Sequence, residues 1–336
     1  MSQKLFNFVS SFGLMLIGVV LLFVGSISVE IKNNSQFLAF PQSGPRVQIG
    51  GDVTLAVLPK AKPTIPLSKS NEACLITTTA AVAFVVDDKT DTVLYEKNSG
   101  TVRSLASITK LMTAIVLLDM PLGWSSTTIV SVDDIDDSSH HINVGEKFTL
   151  DDLWNVALIG SDNSAIKVLV RASGLTVGQF VARMNEKAQR LNLKSARFAD
   201  PTGLDNRNMA KAPDVARLLG LALKQEKIIQ ALQTPEYYAK PFDKKVRRVW
   251  STDWLLTKWI PSDYKCVQIA GKTGYIVDSD YNFVVRLTDE SGHSIRVVIL
   301  GASSNETRFT EARDLANWTF EHYLWPDEVG YDDLSE

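Results

Sequence analysis

The chain has 336 residues, enough for one large domain or two ordinary ones, and its 45% apolar and 22% charged residues exclude a disordered or fibrous chain. Thirty-five basic residues stand against 38 acidic ones, a net charge of −3, with no basic excess to neutralise the phosphates of a nucleic acid. Two cysteines, Cys74 and Cys266, and four histidines without metal-ligand spacing argue against a metal site or a disulfide-rich scaffold, and no cofactor is called for.

No charge falls between Lys4 and Glu30, and Phe12–Val29 reads FGLMLIGVVLLFVGSISV. About 20 helical residues cross the ~30 Å core of a bilayer, so residues 1–29 read as a signal-anchor, or as a signal peptide cut near Ser26-x-Ser28. Either way the remainder is expected to be exported. Residues 30–75 hold five of the twelve prolines among Ser, Gly and Asn. They lack a sustained period of 2 or 3.6 and read as a tether, with one short strand pattern at Val53–Leu58.

From residue 76 the texture is that of a folded domain, expected to run to 326. AAVAFVV, a DDKTD turn and TVLYEK predict two strands joined by a hairpin. LASITKLMTAIVLLD predicts a helix that is apolar nearly all round after Lys110, and so buried. Thr149 and Asp152 form a capping signature before LWNVALIG, and NSAIKVLVRAS starts a helix capped by Asn163 or Ser164. VGQFVARMNEKAQRLN and APDVARLLGLALKQ continue with helical spacing. KCVQIAGKTG, YNFVVRLT and SIRVVILGA return to strands, ETRFTEARDLANWTFEHYLW closes the domain as a helix, and 327–336 is an acidic tail. Strands, a long helical insert, strands and a helix make this an α+β chain.

With no histidine in a nucleophile-elbow setting, the candidate chemistry is a serine paired with a lysine. A lysine three residues after a serine shares its helical face, and once desolvated it can take the hydroxyl proton near neutral pH. S-x-x-K occurs at Ser107/Lys110, Ser164/Lys167 and Ser262/Lys265. Only Ser107/Lys110 lies on an otherwise apolar helix. S-x-N occurs at Ser161/Asn163 and Ser303/Asn305, and K-T-G once, at Lys272–Gly274. Requiring the order S-x-x-K, S-x-N, K-T-G leaves only Ser107, Ser161 and Lys272, a pattern found in penicillin-binding proteins and class A β-lactamases.

SLASITKLMTA, LIGSDNSA, FADPTGLD and AGKTGY, in that order, resemble the low-molecular-mass penicillin-binding proteins of the D-alanyl-D-alanine carboxypeptidase/endopeptidase family, over roughly Ala80 to Trp325. The resemblance implies a serine transpeptidase/β-lactamase-like fold: an antiparallel five-stranded sheet flanked by helices, with a mostly helical subdomain beside it. It implies a serine carboxypeptidase that acts on peptidoglycan stem peptides through an acyl-enzyme and is acylated by β-lactams. It places the chain at the periplasmic face of the inner membrane, held by its N-terminal segment. The roles implied are Ser107 as nucleophile, Lys110 as base and Ser161 as proton relay. Asn163, Lys272, Thr273, Gly274 and Tyr275 would bind substrate, with the Ser107 and Tyr275 amides as oxyanion hole. Gly274 would leave room for substrate to lie along its strand. Arg308 would join Thr273 in holding the terminal carboxylate, although the residues alone equally allow an exposed helix-start arginine.

Asp162 stands where the family usually has Gly, and Ser251 and Asp253 replace frequent asparagines. The shorter layout also resembles the family's endopeptidase branch. A β-lactamase would need a water-activating Glu after the S-x-N, and Glu186 reads instead as helix surface charge. An inactive scaffold would be expected to lose nucleophile or base. His140–His141 reads as an exposed loop, the tryptophans as core and cleft wall, and a Cys74–Cys266 pairing stays open.

Overall fold

The structure, a computed structural model, describes residues 64–70, 76–138, 140–242, 244–260 and 266–335. The chain divides into the units Met1–Pro59 and Lys60–Glu336, and all described residues belong to the second. The expected membrane segment, the Val53–Leu58 strand, Cys74 and the Ser262/Lys265 pair lie outside them.

Five antiparallel strands form the central sheet, in the order Cys266–Ile276, Asp280–Asp289, Ser294–Ala302, Val82–Asp87 and Val93–Lys97. Side chains alternate between the two faces of a strand, and here both faces are covered. Val82, Phe84 and Val86 join the core of the helical region, while Ala83 and Val85 join a second core with Phe309, Ala312 and Leu315. A strand buried on both sides needs apolar residues at every position, which is why AAVAFVV and SIRVVILGA read as continuous runs.

The helical region supplies α1 (Lys110–Leu118), α2 (Leu150–Ile159), α3 (Asn163–Ala172), α4 (Val177–Arg190), α5 (Ala212–Ala222) and α6 (Glu226–Leu232), and α7 (Thr307–His322) covers the other face of the sheet. Every residue of α1 but its last is buried, as its lack of a polar face requires. The hydroxyl of Thr149 accepts from the Asp152 amide at the start of α2. The cap of α3 differs from expectation. It is Asp162, whose carboxylate accepts from the Ala165 amide at 2.8 Å, which frees the Asn163 side chain for another partner.

Both ends of the domain extend past their expected bounds. Within the stretch read as tether, Leu67–Ser68 pairs with Tyr323–Leu324, and the Lys69 amide donates to the His322 carbonyl at 2.8 Å. The acidic tail ends in a short helix, α8 (Tyr331–Ser335), whose Tyr331 is buried and donates to the Ile65 carbonyl at 2.7 Å. A tyrosine with an apolar body and one polar tip anchors a segment that its charge alone marks as solvated.

Candidate active site

Ser107 is the second residue of a single 3-10 turn, Ala106–Thr109, that runs into α1. The turn opens with Ala106 at φ +47°, a left-handed conformation that a non-glycine residue adopts only when its surroundings enforce it. Two glycines enforce it. A Cβ on Gly203, itself at φ +95°, would lie 2.0 Å from the Ala106 carbonyl oxygen, and one on Gly274 would lie 2.5 Å from that of Leu105. Gly274, expected to leave room for substrate along its strand, has a second reason to lack a side chain, since the backbone that carries Ser107 packs against it. The same packing sets the Ser107 amide beside the K-T-G strand one residue before Tyr275, and the half-exposed Tyr275 ring stacks on Tyr281 at 4.4 Å.

Lys110 has no solvent access. Its Nζ donates to Ser107 Oγ at 2.7 Å, Asn163 Oδ1 at 2.6 Å and the Thr202 carbonyl at 2.8 Å. Burial pulls its pKa down to about 7, against the opposing charges of Asp162, Asp200 and Asp136. The partners dictate the geometry of the neutral amine. Asn163 Oδ1 and the Thr202 carbonyl can only accept, so they take its two N–H bonds and leave the lone pair facing the serine hydroxyl.

Asn163 is fixed from its other side, its Nδ2 donating to Ser138 Oγ at 2.9 Å. Ser161 precedes it at φ +58° and accepts from Lys272 Nζ at 2.8 Å. Lys272 is buried in the middle of an edge strand that the helical region covers. Burial takes its pKa well below the usual lysine range; the charges of Lys110 and Arg308 push the same way, and Asp253 opposes them. The Thr273 hydroxyl meets that of Thr252 at 2.6 Å.

Arg308 is not the exposed helix-start arginine that the residues alone allowed. Its guanidinium is buried and donates to the Gly274 carbonyl at 3.0 Å, to the Asn282 carbonyl at 3.3 Å and to Asn305 Oδ1, bracing the K-T-G strand. Burial lowers its pKa to about 10. Asp253 is buried behind the same strand, where its Oδ1 accepts from the Leu255 and Leu256 amides and burial pushes its pKa up to about 6.

Three contributors carry no role in the motif reading: the Thr202 carbonyl, Gly203 and Thr252. The first two lie in DPTGLD, whose Pro-Thr-Gly is a turn signal, but a carbonyl acceptor leaves no trace in side-chain type. His141 also departs from its reading as part of an exposed loop. His140 is exposed, but His141 Nδ1 lies 3.1 Å from the buried carboxylate of Asp162. The other S-x-x-K pair within the described residues is structural: Ser164 accepts from the Asp136 amide, and Lys167 reaches Asp136 and the Ile135 carbonyl.

Fold and site together define a serine hydrolase with the penicillin-binding, DD-peptidase architecture. The family model for D-alanyl-D-alanine carboxypeptidase matches residues 68–304, and the chain belongs to that family, peptidase S11. It is 29% identical over 247 residues to a D-alanyl-D-alanine endopeptidase of Pseudomonas aeruginosa, covering 70% of this chain and 76% of that protein. It is 28% identical over 255 residues to the D-alanyl-D-alanine carboxypeptidase DacF of Bacillus subtilis, covering 73% and 63%. Among solved structures, a variant of the Streptomyces K15 DD-transpeptidase superposes with a TM-score of 0.65 at 25% identity, over 73% of this chain and 99% of that one.

Proposed function

We propose that the chain hydrolyses D-alanyl bonds of peptidoglycan stem peptides through an acyl-enzyme on Ser107, releasing the terminal D-alanine of D-Ala-D-Ala. The observation that carries this reading is the three-partner geometry of Lys110. Neutral Lys110 takes the Ser107 proton as Oγ bonds to the carbonyl carbon. The amides of Ser107 and Tyr275 receive the oxyanion, each such donor contributing roughly 3–4 kcal/mol. As the C–N bond breaks, the proton that Lys110 took from Ser107 passes by way of Ser161, which Lys272 orients, to the departing amine, and Lys110 is neutral again. Water then attacks the ester with Lys110 again as base.

Lys272, Thr273 and Asn163 line the place where substrate backbone and carboxylate would bind, with Arg308 adding positive charge from behind the strand. A β-lactam would enter as the same kind of acyl donor and leave a ring-opened ester on Ser107. The apolar N-terminal segment would hold the domain at the periplasmic face of the inner membrane, so membrane fractionation should recover the full chain with the bilayer. Cleavage of D-alanyl cross-links is the second reading, favoured by the similarity to the Pseudomonas aeruginosa endopeptidase.

Incubation with muropeptide monomers and cross-linked dimers separates the two: D-alanine release marks the carboxypeptidase, conversion of dimer to monomer the endopeptidase. Ser107→Ala should abolish both activities and penicillin labelling. Residual turnover in that variant would place the nucleophile elsewhere.

A further inference from the structure

Beside the cleft lies a strip of exposed aromatic rings that the proposed chemistry does not use. Strands Glu236–Ala239 and Arg247–Trp250 form a hairpin in which Tyr238 faces Arg248 and Glu236 faces Trp250. The inner side chains, Ala239 and Val249, are buried, whereas Tyr238 is 47% and Trp250 40% exposed. The Arg248 guanidinium lies 3.8 Å from the centre of the Trp250 ring and 6.0 Å from that of Tyr238. Trp259, 57% exposed, continues the strip 6.3 Å from Trp250. Trp254 roots it, 5.5 Å from Trp259 on one side and stacked on Phe309 at 5.5 Å on the other. Exposed aromatics held this firmly mark a binding surface.

We infer that Tyr238, Trp250 and Trp259 form a saccharide subsite, on which the amino-sugar strand of the substrate lies while its stem peptide occupies the cleft. The inference rests on the peptidoglycan-peptidase reading. Trp250 is two residues from Thr252, whose hydroxyl touches Thr273 of the K-T-G strand, so the strip is continuous with the site where the peptide would be cut. The C–H faces of sugar rings stack on indole and phenol rings, which offer flat area at low entropic cost. Arg248 is answered by Glu236, its Nε donating to Oε2 at 2.6 Å. That pairing leaves the strip's own charge balanced, which suits a neutral saccharide better than an anionic lipid surface.

The test compares kcat/KM of the full chain on a disaccharide-pentapeptide and on the same pentapeptide without sugar. The wild type should favour the sugar-bearing substrate by about fivefold or more. Trp250→Ala/Trp259→Ala should bring the ratio to about one while leaving bare-peptide turnover and penicillin acylation unchanged, and Trp250→Phe/Trp259→Phe should keep most of the preference. A wild-type ratio of one, or a preference that survives in the double alanine variant, overturns the inference. Tryptophan fluorescence with chitotetraose decides the matter even if neither peptide is cleaved, a result that would count against the peptidase reading alone. Saturable quenching lost in the double alanine variant supports the subsite, and its absence from the wild type refutes it. A response to phosphatidylglycerol without one to chitotetraose would make the strip a lipid surface and overturn the inference as well.

Discussion

Lys110 is able to act as a base because of where it is, not because of what it is. An amine without solvent access loses its hydration when charged, and three nearby carboxylates compensate only in part, which leaves its pKa at about 7. Acylation by penicillin measured against pH should therefore fall about tenfold per unit below pH 7, as the neutral amine is consumed. Stability carries the opposite face of the same shift. Between pH 7 and about 10 the unfolded chain holds a proton on Lys110 that the native chain lacks, so this group adds stability as pH rises. Relative to Lys110→Met, the wild type should gain up to about 1.4 kcal/mol per pH unit over that range in urea unfolding. Asp162 stands first among the charges that oppose the shift. Burial pushes its own pKa up, but hydrogen bonds from His141 and the Ala165 amide outweigh that and keep it below the ordinary carboxylate range. Asp162→Asn keeps a side chain able to cap α3 and removes the charge, so the acid limb of acylation should move to lower pH. A limb that stayed in place would show that the charge does not reach Lys110. Ser107, Lys110, Ser161, Asn163 and Lys272 are all legible in the sequence, because each role depends on a side-chain type at a fixed spacing. The Thr202 acceptor is not, since any residue can supply a carbonyl.

At the scale of elements, the turn before α1 sets the direction of the Ser107 hydroxyl. The turn is held between Gly203 on the DPTGLD loop and Gly274 on the edge strand. Both contacts are long-range in sequence, and neither follows from local propensity. Gly203→Ala combines an unfavourable positive φ with a Cβ placed 2.0 Å from a backbone oxygen. It should cost about 2–4 kcal/mol in thermal unfolding and slow acylation disproportionately, because relief of the clash moves Ser107 away from Lys110. The five strands of the sheet and the helices α1 to α5 and α7 were readable from periodicity, whereas α6 and the hairpin Glu236–Ala239/Arg247–Trp250 lie in the long insert read only as helical. The cap of α3 was misplaced by one or two positions because Asp, Asn and Ser all cap well, and only the tertiary need for Asn163 at Lys110 decides among them.

Across the whole molecule, Arg296 ties the sheet to the helical region. It is buried on strand Ser294–Ala302, its Nη1 donates to the Ala216 carbonyl of α5 at 2.9 Å, and it forms ion pairs with Asp88 and Asp91 in the turn that leads to the sheet's far edge. Arg296→Met would leave the buried Ala216 carbonyl without its donor, while Asp88 and Asp91 keep access to water, and should lower the unfolding free energy by about 1–3 kcal/mol. Measured acylation of the fraction still folded should change little, because the contact lies away from Ser107. In sequence Arg296 is a single charge inside an apolar strand, legible as an anomaly but without an address. The same holds at the domain's ends, where a Pro-rich stretch and an acidic tail read as solvated until Leu67–Ser68 pairs with Tyr323–Leu324 and Tyr331 meets Ile65.

The sequence by itself determined the α+β order of elements, the buried helix of Lys110 and the three motifs, because periodicity and spacing are local properties of the chain. Tertiary structure decided that Gly274 lies against the chain's own backbone, that Arg308 braces a strand, and that Trp250 at the end of a hairpin and Trp259 beyond it form one exposed strip. Those outcomes depend on which distant segments meet, and a close approach between backbones leaves no periodic signal in the residues that make it.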